Sequence, residues 1–363
     1  MKIEKLKIRA IRVRAVATPM KRPLATSIGA VTVAPLLLLD LHTDGGIVGR
    51  AYLFALAKQH LAPIAALVEA MAQMLKGDPL APFEIERKLR AKYALLGVHN
   101  IVLFAMSGID MAAWDALGQA LGEPLVRLLG GAPRPIRAYN SKGLGIQEKK
   151  KLEKEALELV GEGFTAVKVR LGRAQARDDV EAVRAVRKAL GPGITLMADF
   201  NQGLTVAEAI KRGRMLDEEG LCWIEEPVRA DDFAGNAKVA REVATPIQIG
   251  ENFMGPEQMQ QALAAQACDF VMPDAQRIGG VTGWMRAAAL AQGAGMEMSS
   301  HLFPEVSCHL LAVTPTCHWL EFVDWAEAIL EEPVTLEEGH VLIPQRPGTG
   351  IRWNEKAVKR YSA

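Results

Sequence analysis

The apolar and polar positions of this chain fall into two regimes. Over roughly the first 130 residues the pattern is mixed. Residues 3–17 alternate charged with apolar side chains, the period of a half-buried strand. Runs 36–41 and 47–54 flank His42-Thr43-Asp44-Gly45-Gly46, whose Asp-Gly step signals a hairpin. Helical patterns follow over 58–76, 83–93 and 101–121. The last is apolar nearly all round, which predicts a buried helix. Gly130, Gly131, Pro133 and Pro135 then punctuate a boundary.

From about residue 136 short β-like runs recur, at 136–141, 166–171, 194–201, 222–227, 247–252, 270–275, 297–302 and 318–322, with helical segments between most of them. Val180, Val183, Val186 and Leu190 keep near-helical spacing and stop at Gly191-Pro192. Thr205 with Glu208 is a Thr-x-x-Glu capping signal for a helix ending near Gly220. Eight strand candidates in series predict an α/β fold, a modified (β/α)8 TIM-type barrel. The last strands are closely spaced, so a degraded or absent helix is expected there. An open doubly wound sheet is the rival, but no GxGxxG follows a strand. The expected organisation is an α+β capping domain over 1–133, a barrel over 134–329, and a segment 330–363 that packs back on the cap.

Composition narrows the class. The chain has 363 residues, 50% hydrophobic and 23% charged, which suits a globular core. Lysine plus arginine number 43 against 42 acids, so there is no electrostatic footprint for nucleic acid or an anionic membrane. Cys222, Cys268, Cys308 and Cys317 form no CxxC pair, against a zinc ribbon or a secreted disulfide framework. The apolar run 35–41 is too short to span a bilayer, and the N-terminus lacks the apolar core of a signal peptide. A cytoplasmic protein is expected.

The chemistry gathers at the strand ends. Lys168, Arg170, Asp199, Asn201, Glu225, Glu226, Glu251, Asn252, Asp274, His301 and Glu321 all fall at or near the C-terminal end of a strand candidate. In a barrel that end carries the active site. Asp199, Glu225 and Glu251 recur every 26 residues, and Asp274 follows after 23. Three carboxylates converging in a low-dielectric site stay ionised together only around a cation. Oxygen-only donors select a hard ion, Mg2+ before Zn2+. Asp199, Glu225 and Glu251 are therefore the expected metal ligands. His301 with Asp274 one strand earlier is a candidate general base, since a carboxylate partner fixes the imidazole tautomer. His309 and His318 lack such a partner and read as structural.

With these residues in place the sequence resembles the enolase superfamily, and within it the mandelate racemase subgroup. The segments that carry the resemblance are SGIDMAAWDALG (107–118), GFTAVKVRLG (163–172), WIEEP (223–227), GEN (250–252), MPDAQRIGGVTGW (272–284), SSHLF (299–303) and HWLE (318–321). The resemblance implies a capped barrel, Mg2+ on Asp199, Glu225 and Glu251, and His301 as a base oriented by Asp274. It implies Lys168 on the substrate carboxylate and Glu321 hydrogen-bonded to the carboxylate oxygen opposite the metal. Ser141 and Asn201 match substrate-contacting positions, and a homo-octamer is the family's assembly. Glu321 would have to be neutral to donate, which requires its pKa to be raised by burial and neighbouring acids.

One position departs: the second lysine of the Lys-x-Lys motif is Arg170. Arginine stays protonated and is a poor base. This puts two-base racemisation in doubt and leaves Arg170 to bind an anionic group. The resemblance brings Leu24, Ile28, Val31, Phe54 and Leu56 to the pocket wall, with Lys142 as a polar exception. Hydroxyls buried against such a wall would each cost ~1–3 kcal/mol. The overall resemblance places first a Mg2+-dependent racemase or epimerase of an apolar or aromatic 2-hydroxy acid, acting through a metal-stabilised enediolate; the alternative is an acid-sugar dehydratase using His301–Asp274 alone, and last comes a binding protein without chemistry. The expected partner is a small carboxylic acid.

Overall fold

The computed structural model describes residues 6–27 and 29–363. The N-terminal part is a three-stranded antiparallel sheet, β1 (Ile8–Thr26), β2 (Gly29–Thr43) and β3 (Val48–Phe54), in that order. Strand β1 runs on beyond residue 17 to Thr26 through a register shift between Pro19 and Leu24, so β1 and β2 form a long hairpin whose tip overhangs the barrel. The stretch Ala34 to Leu41 of the central strand β2 is buried on both faces, which is why it reads as a nearly continuous apolar run. The Asp-Gly turn joins β2 to β3, with Thr43 N–H donating to the Ile47 carbonyl at 2.9 Å.

Helices α1 (Leu61–Leu75), α2 (Pro82–Tyr93), α3 (Asn100–Leu121) and α4 (Leu125–Leu128) follow. The predicted start at 58 is a 3-10 turn (Lys58–His60) ahead of α1. Helix α3 is buried on nearly all sides, as its composition requires. It lies so close to β3 that a Cβ on Gly49 would fall 2.0 Å from the Ala112 carbonyl oxygen. Only glycine fits there.

The barrel alternates strand and helix: β4 (Ile136–Asn140), α5 (Lys149–Gly161), β5 (Ala166–Arg170), α6 (Ala176–Leu190), β6 (Thr195–Asp199), α7 (Val206–Leu216), β7 (Ile224–Glu225), α8 (Phe233–Glu242), β8 (Ile247–Ile249), α9 (Pro256–Ala264), β9 (Phe270–Val271), α10 (Gly280–Gly293), β10 (Glu297–Met298), α11 (Pro304–Ala312) and β11 (Leu320–Phe322). All eight strands are parallel in chain order, and β11 returns to pair with β4. The ring closes between β10 and the approach to β11, where His318 N–H donates to the Met298 carbonyl at 2.9 Å and Ser300 N–H to that of Trp319 at 2.9 Å. The degraded or absent helix expected among the last strands is not α11, which has nine residues like α9; it is the one after β11, where only a 3-10 turn (Glu327–Ile329) follows. Thr205 caps α7 by accepting from Glu208 N–H at 3.3 Å.

The C-terminal segment does two things. A hairpin, β12 (Thr335–Glu337) and β13 (His340–Leu342), pairs antiparallel with β4, an addition to the barrel that the loop-like sequence did not announce. The chain then crosses to the cap, where Trp353 Nε1 donates to Asp40 at 2.8 Å and, after α12 (Glu355–Arg360), Ala363 N–H reaches the Ala15 carbonyl. All four cysteines are free thiols.

Candidate active site

Strand register brings the polar residues to one level. Arg170 is paired with Asp199, and Asp199 with Glu225, on three neighbouring strands. Glu251 follows β8, Asp274 follows β9, His301 follows β10, and Glu321 lies within β11. The turns that aim these groups are strained: Asn201, Gln202, Glu226, Leu302 and Phe303 all have positive φ. Backbone of this kind persists where its surroundings over-determine it, typically at functional sites.

Asp199, Glu225 and Glu251 each offer an oxygen within 4.8 Å of the others. Octahedral Mg2+ at ~2.0–2.1 Å holds its ligand oxygens roughly 3–4 Å apart, so a modest contraction suffices. The donors are all hard oxygens, and the Asn201 Oδ1 beside them is buried without a hydrogen-bond partner. The residues present thus fit a hard divalent cation. Lys168 is buried among the same acids. Its Nζ donates to Glu225, to Glu321 at 2.8 Å, and lies 3.2 Å from Asp199. Burial alone would lower the ammonium's pKa, but Glu225, Glu321 and Asp199 outweigh it and raise it. Burial pushes Glu225 well above the usual carboxylate range; Lys168 opposes this, and Asp199 and Glu321 add to it.

His301 Nδ1 lies 2.7 Å from Asp274 Oδ2. The other Asp274 oxygen accepts the backbone N–H of Gln276 at 2.7 Å and of Arg277 at 3.1 Å. Asp274 therefore has a fixed orientation and holds the imidazole with Nε2 among the acids, 3.3 Å from Glu251 and 3.7 Å from Glu321. Burial would lower the imidazole pKa, but Glu251, Glu321 and Asp274 together raise it to about 9.

Arg170 points away from the role of a base. Its Nη1 donates to the carbonyls of Ser141 at 3.0 Å and Gly143 at 2.9 Å, and Nη2 to Ser141 Oγ at 2.7 Å. Ser141 Oγ donates in turn to Glu321 at 2.6 Å. The Ser141 hydroxyl, expected to meet substrate, is thus engaged by Arg170 and Glu321 and sits behind the cavity wall. Glu321 runs opposite to the requirement for a neutral acid. Burial raises it, but Lys168 and then His301 outweigh this and hold it below the usual carboxylate range.

These groups close the inner end of a cavity of about 300 Å³. Of the expected apolar wall, Leu24, Val31, Phe54 and Leu56 line it; Ile28 lies outside the described residues. Asn201 lines it as well, whereas Asp274 and Glu225 support it from behind. Lys142 is not part of it: its ammonium pairs with Glu162 and lies 3.8 Å from Asp324. Sequence reasoning missed Arg277, Val323 and Trp325. Arg277 stands three residues past Asp274, close enough to a strand end to have been a signal. Trp325, whose ring lies 4.8 Å from that of Phe54, sits in a loop with no periodicity to mark it. His309 and His318 are buried away from the cavity, and burial lowers both to about 4.

Comparison with known proteins places the fold. Residues 8–130 match the mandelate racemase/muconate lactonizing enzyme N-terminal domain, and residues 151–357 the enolase C-terminal domain-like family. The L-talarate/galactarate dehydratase of Salmonella typhimurium is 30% identical over 90% of this chain and 82% of its own length. An enolase from alpha proteobacterium bal199, solved with bound Mg, superposes with a TM-score of 0.97 at 45% identity, covering 99% of this chain and all of that one. A Bradyrhizobium enolase complexed with magnesium and mandelic acid gives 0.94 at 44% identity, with 99% of both chains covered. The curated relatives include both dehydratases and racemases or epimerases.

Proposed function

We propose that this chain, which belongs to the mandelate racemase/muconate lactonizing enzyme family of the enolase superfamily, removes the α-proton of a 2-hydroxycarboxylate with His301 as its single base. One observation carries the reading. His301 is held by Asp274 with Nε2 at the carboxylate end of the cavity, while Arg170 across the barrel is committed to the oxygens of Ser141 and Gly143.

Asp199, Glu225 and Glu251 would hold Mg2+, which when bound draws charge from the substrate carboxylate and acidifies the α-carbon. Lys168 contributes a buried positive charge beside that carboxylate, aimed where negative charge develops. Asn201 Oδ1, buried and unpartnered, accepts from the 2-hydroxyl. Glu321 is an acceptor in its present bonds to Lys168 and Ser141, and donates to substrate only once a proton reaches it. His301 Nε2 takes the α-proton, and Asp274 stabilises the imidazolium.

Inversion at the α-carbon needs a second group that gives and takes a proton on the other face. Arginine does not lose its proton in proteins. The geometry therefore favours a one-base outcome, a hydro-lyase. The Cα–H bond breaks to His301, its electron pair forms the Cα–Cβ double bond, and the β-hydroxide leaves with the proton from His301 as water. The enol becomes a 2-keto acid. The inner half of the cavity suits the 2,3-dihydroxy acid end, and Leu24, Val31, Phe54, Val323 and Trp325 suit an apolar remainder. A racemase of an aromatic 2-hydroxy acid is the second reading. It is favoured by the mandelic acid in the Bradyrhizobium structure, a ligand with no β-hydroxyl to lose.

The test is a panel of 2-hydroxy and 2,3-dihydroxy acids, including both mandelate enantiomers, incubated with enzyme and Mg2+ in D2O. Loss of the α-proton signal with a semicarbazide-reactive product supports the hydro-lyase. Exchange into both enantiomers without product supports the racemase. A panel without exchange, or exchange that survives His301→Asn, overturns the proposal. We further propose a cytoplasmic homo-oligomer, in which residues 1–133 form the cap and residues 134–329 the barrel, and the segment 330–363 first adds the β12–β13 hairpin to β4 and only then packs on the cap. Free thiols at all four cysteines and the Trp353–Asp40 bond are the supports, and light scattering tests the assembly.

A further inference from the structure

The end of β3 is tied to both loops that carry the His301–Asp274 pair. Gln276, nearly fully buried, closes a two-point bond on the backbone of Phe54. Phe54 N–H donates to Gln276 Oε1 at 2.7 Å, and Gln276 Nε2 donates to the Phe54 carbonyl at 3.1 Å. The backbone N–H of the same Gln276 donates to Asp274 Oδ1 at 2.7 Å, and Asp274 Oδ2 holds His301 Nδ1 at 2.7 Å. Few covalent bonds and three hydrogen-bonded contacts thus lead from a cap strand to the imidazole.

Two positions earlier on the same face of β3, Tyr52 makes the second tie. Its hydroxyl donates to Glu305 Oε2 at 2.6 Å, and its ring centroid lies 5.1 Å from that of Phe303. Leu302 and Phe303 follow His301 directly, and both have a φ of 50°. Left-handed backbone costs a non-glycine residue ~1–2 kcal/mol, so this turn needs neighbours that hold it. Leu302 N–H donates to Glu321 Oε2 at 3.0 Å and Ser307 Oγ to the Leu302 carbonyl at 2.9 Å, while the Tyr52 ring, anchored through its hydroxyl on Glu305, packs on Phe303. Strand β3 is itself a firm base, because the Gly49 contact leaves no space between it and α3.

We infer that the end of β3 is a splint for the catalytic pair: Gln276, Tyr52 and Glu305 are positioning residues that set the place and tilt of the His301 imidazole. None of the three touches the reacting atoms. Phe54, the partner of Gln276, also lines the cavity, so one strand end registers the apolar wall against the base. The inference rests on the proposed function only in calling His301 the base.

The experiment is nitrogen NMR of the full-length protein carrying 15N-histidine, with the His301 signals among the seven histidines identified by their loss in His301→Asn. Gln276→Ala is expected to shift or broaden the His301 Nδ1 and Nε2 resonances. Tyr52→Phe, which removes one oxygen and keeps the ring, is expected to do so more weakly and covers the case in which Gln276→Ala fails to fold. Asp110→Ala is the control. It cuts another buried cap-to-barrel bond, Thr282 N–H to Asp110 at 3.0 Å, and should leave the His301 signals in place. His301 signals that superimpose on wild type in the Gln276 and Tyr52 variants, or that move as far in the Asp110 control, overturn the splint. A wild-type protein that exchanges no α-proton would overturn the functional reading while leaving this test intact.

Discussion

Arg170 and Ser141 are joined twice, by Nη1 to the serine carbonyl at 3.0 Å and by Nη2 to its hydroxyl oxygen at 2.7 Å. A guanidinium held this way is a fixed cation on the face where a two-base enzyme keeps a proton acceptor. Wild type should therefore exchange the α-proton of one enantiomer only. Arg170→Lys puts a primary amine on that face and is expected to raise exchange of the other enantiomer at least ~10-fold, because lysine can be deprotonated when buried. Proton NMR in D2O on each pure enantiomer checks this; equal exchange of both by wild type contradicts it.

His301→Asn should lower turnover by ~10²–10⁴-fold, the usual contribution of a positioned base. Asp274→Asn leaves the shape but reverses the hydrogen-bond preference at Nδ1, and should cost turnover by a similar order while KM moves little. Steady-state kinetics of the two variants with Mg2+ separate the parameters.

The acids around Lys168 make metal binding a stability term. Asp199, Glu225, Glu251 and Glu321 share a buried site in which Lys168 is the close lysine partner. A cation at a hundred times its Kd should stabilise the fold by ~2.7 kcal/mol. Melting in Mg2+ against EDTA should show this increase, and Glu225→Gln should abolish most of it.

His309 links acid sensitivity to the fold. Val126 N–H donates to its Nδ1 at 3.2 Å and its Nε2 meets the Thr349 carbonyl at 3.3 Å, so the fold binds the neutral ring. Burial lowers its pKa to about 4, against ~6.5 when unfolded. Its contribution is complete above pH ~6.5 and is lost as pH falls toward 4, because only the unfolded chain then takes up the proton; the span is about 3 kcal/mol. Burial pushes Asp110 and Glu305 up to about 7, and they act in the opposite direction over the same window. The measurement is therefore a difference: urea unfolding of wild type and His309→Gln should diverge less at pH 5 than at pH 7.

The hairpin tip is seated on glycine. A Cβ on Gly203 would meet Ser27 Oγ at 2.5 Å, where Ser27 donates to the Phe200 carbonyl at 2.6 Å. Gly203→Ala should push the tip, with Leu24 and Val31, off the cavity. KM should rise several-fold with a small change in melting temperature, and initial rates across substrate concentrations check it.

Much of this was readable before any coordinates. The alternation of strands and helices is local, and a strand end is a position on the chain, so Asp199, Glu225, Glu251, Asp274, His301 and Glu321 could be named from spacing. What spacing cannot hold is direction. Ser141 faces Arg170 and Glu321 rather than the cavity because the β4 loop turns its hydroxyl inward. Lys142 is drawn off to Glu162 by an ion pair 20 residues along the chain. Glu321 lies low in pKa because barrel closure delivers Lys168 to it from a strand two places away.

The sequence by itself determined the barrel, the acidic level at its mouth and the imidazole beside it, because each depends on a repeat of side-chain type along one strand–helix unit. Only the tertiary structure decided which way Arg170 points, that Arg277 and Trp325 line the cavity, and that Gln276 ties Phe54 to Asp274 across 222 residues. Those are contacts between loops of different units. Their geometry comes from ring closure and from strained turns, and neither has a period to read.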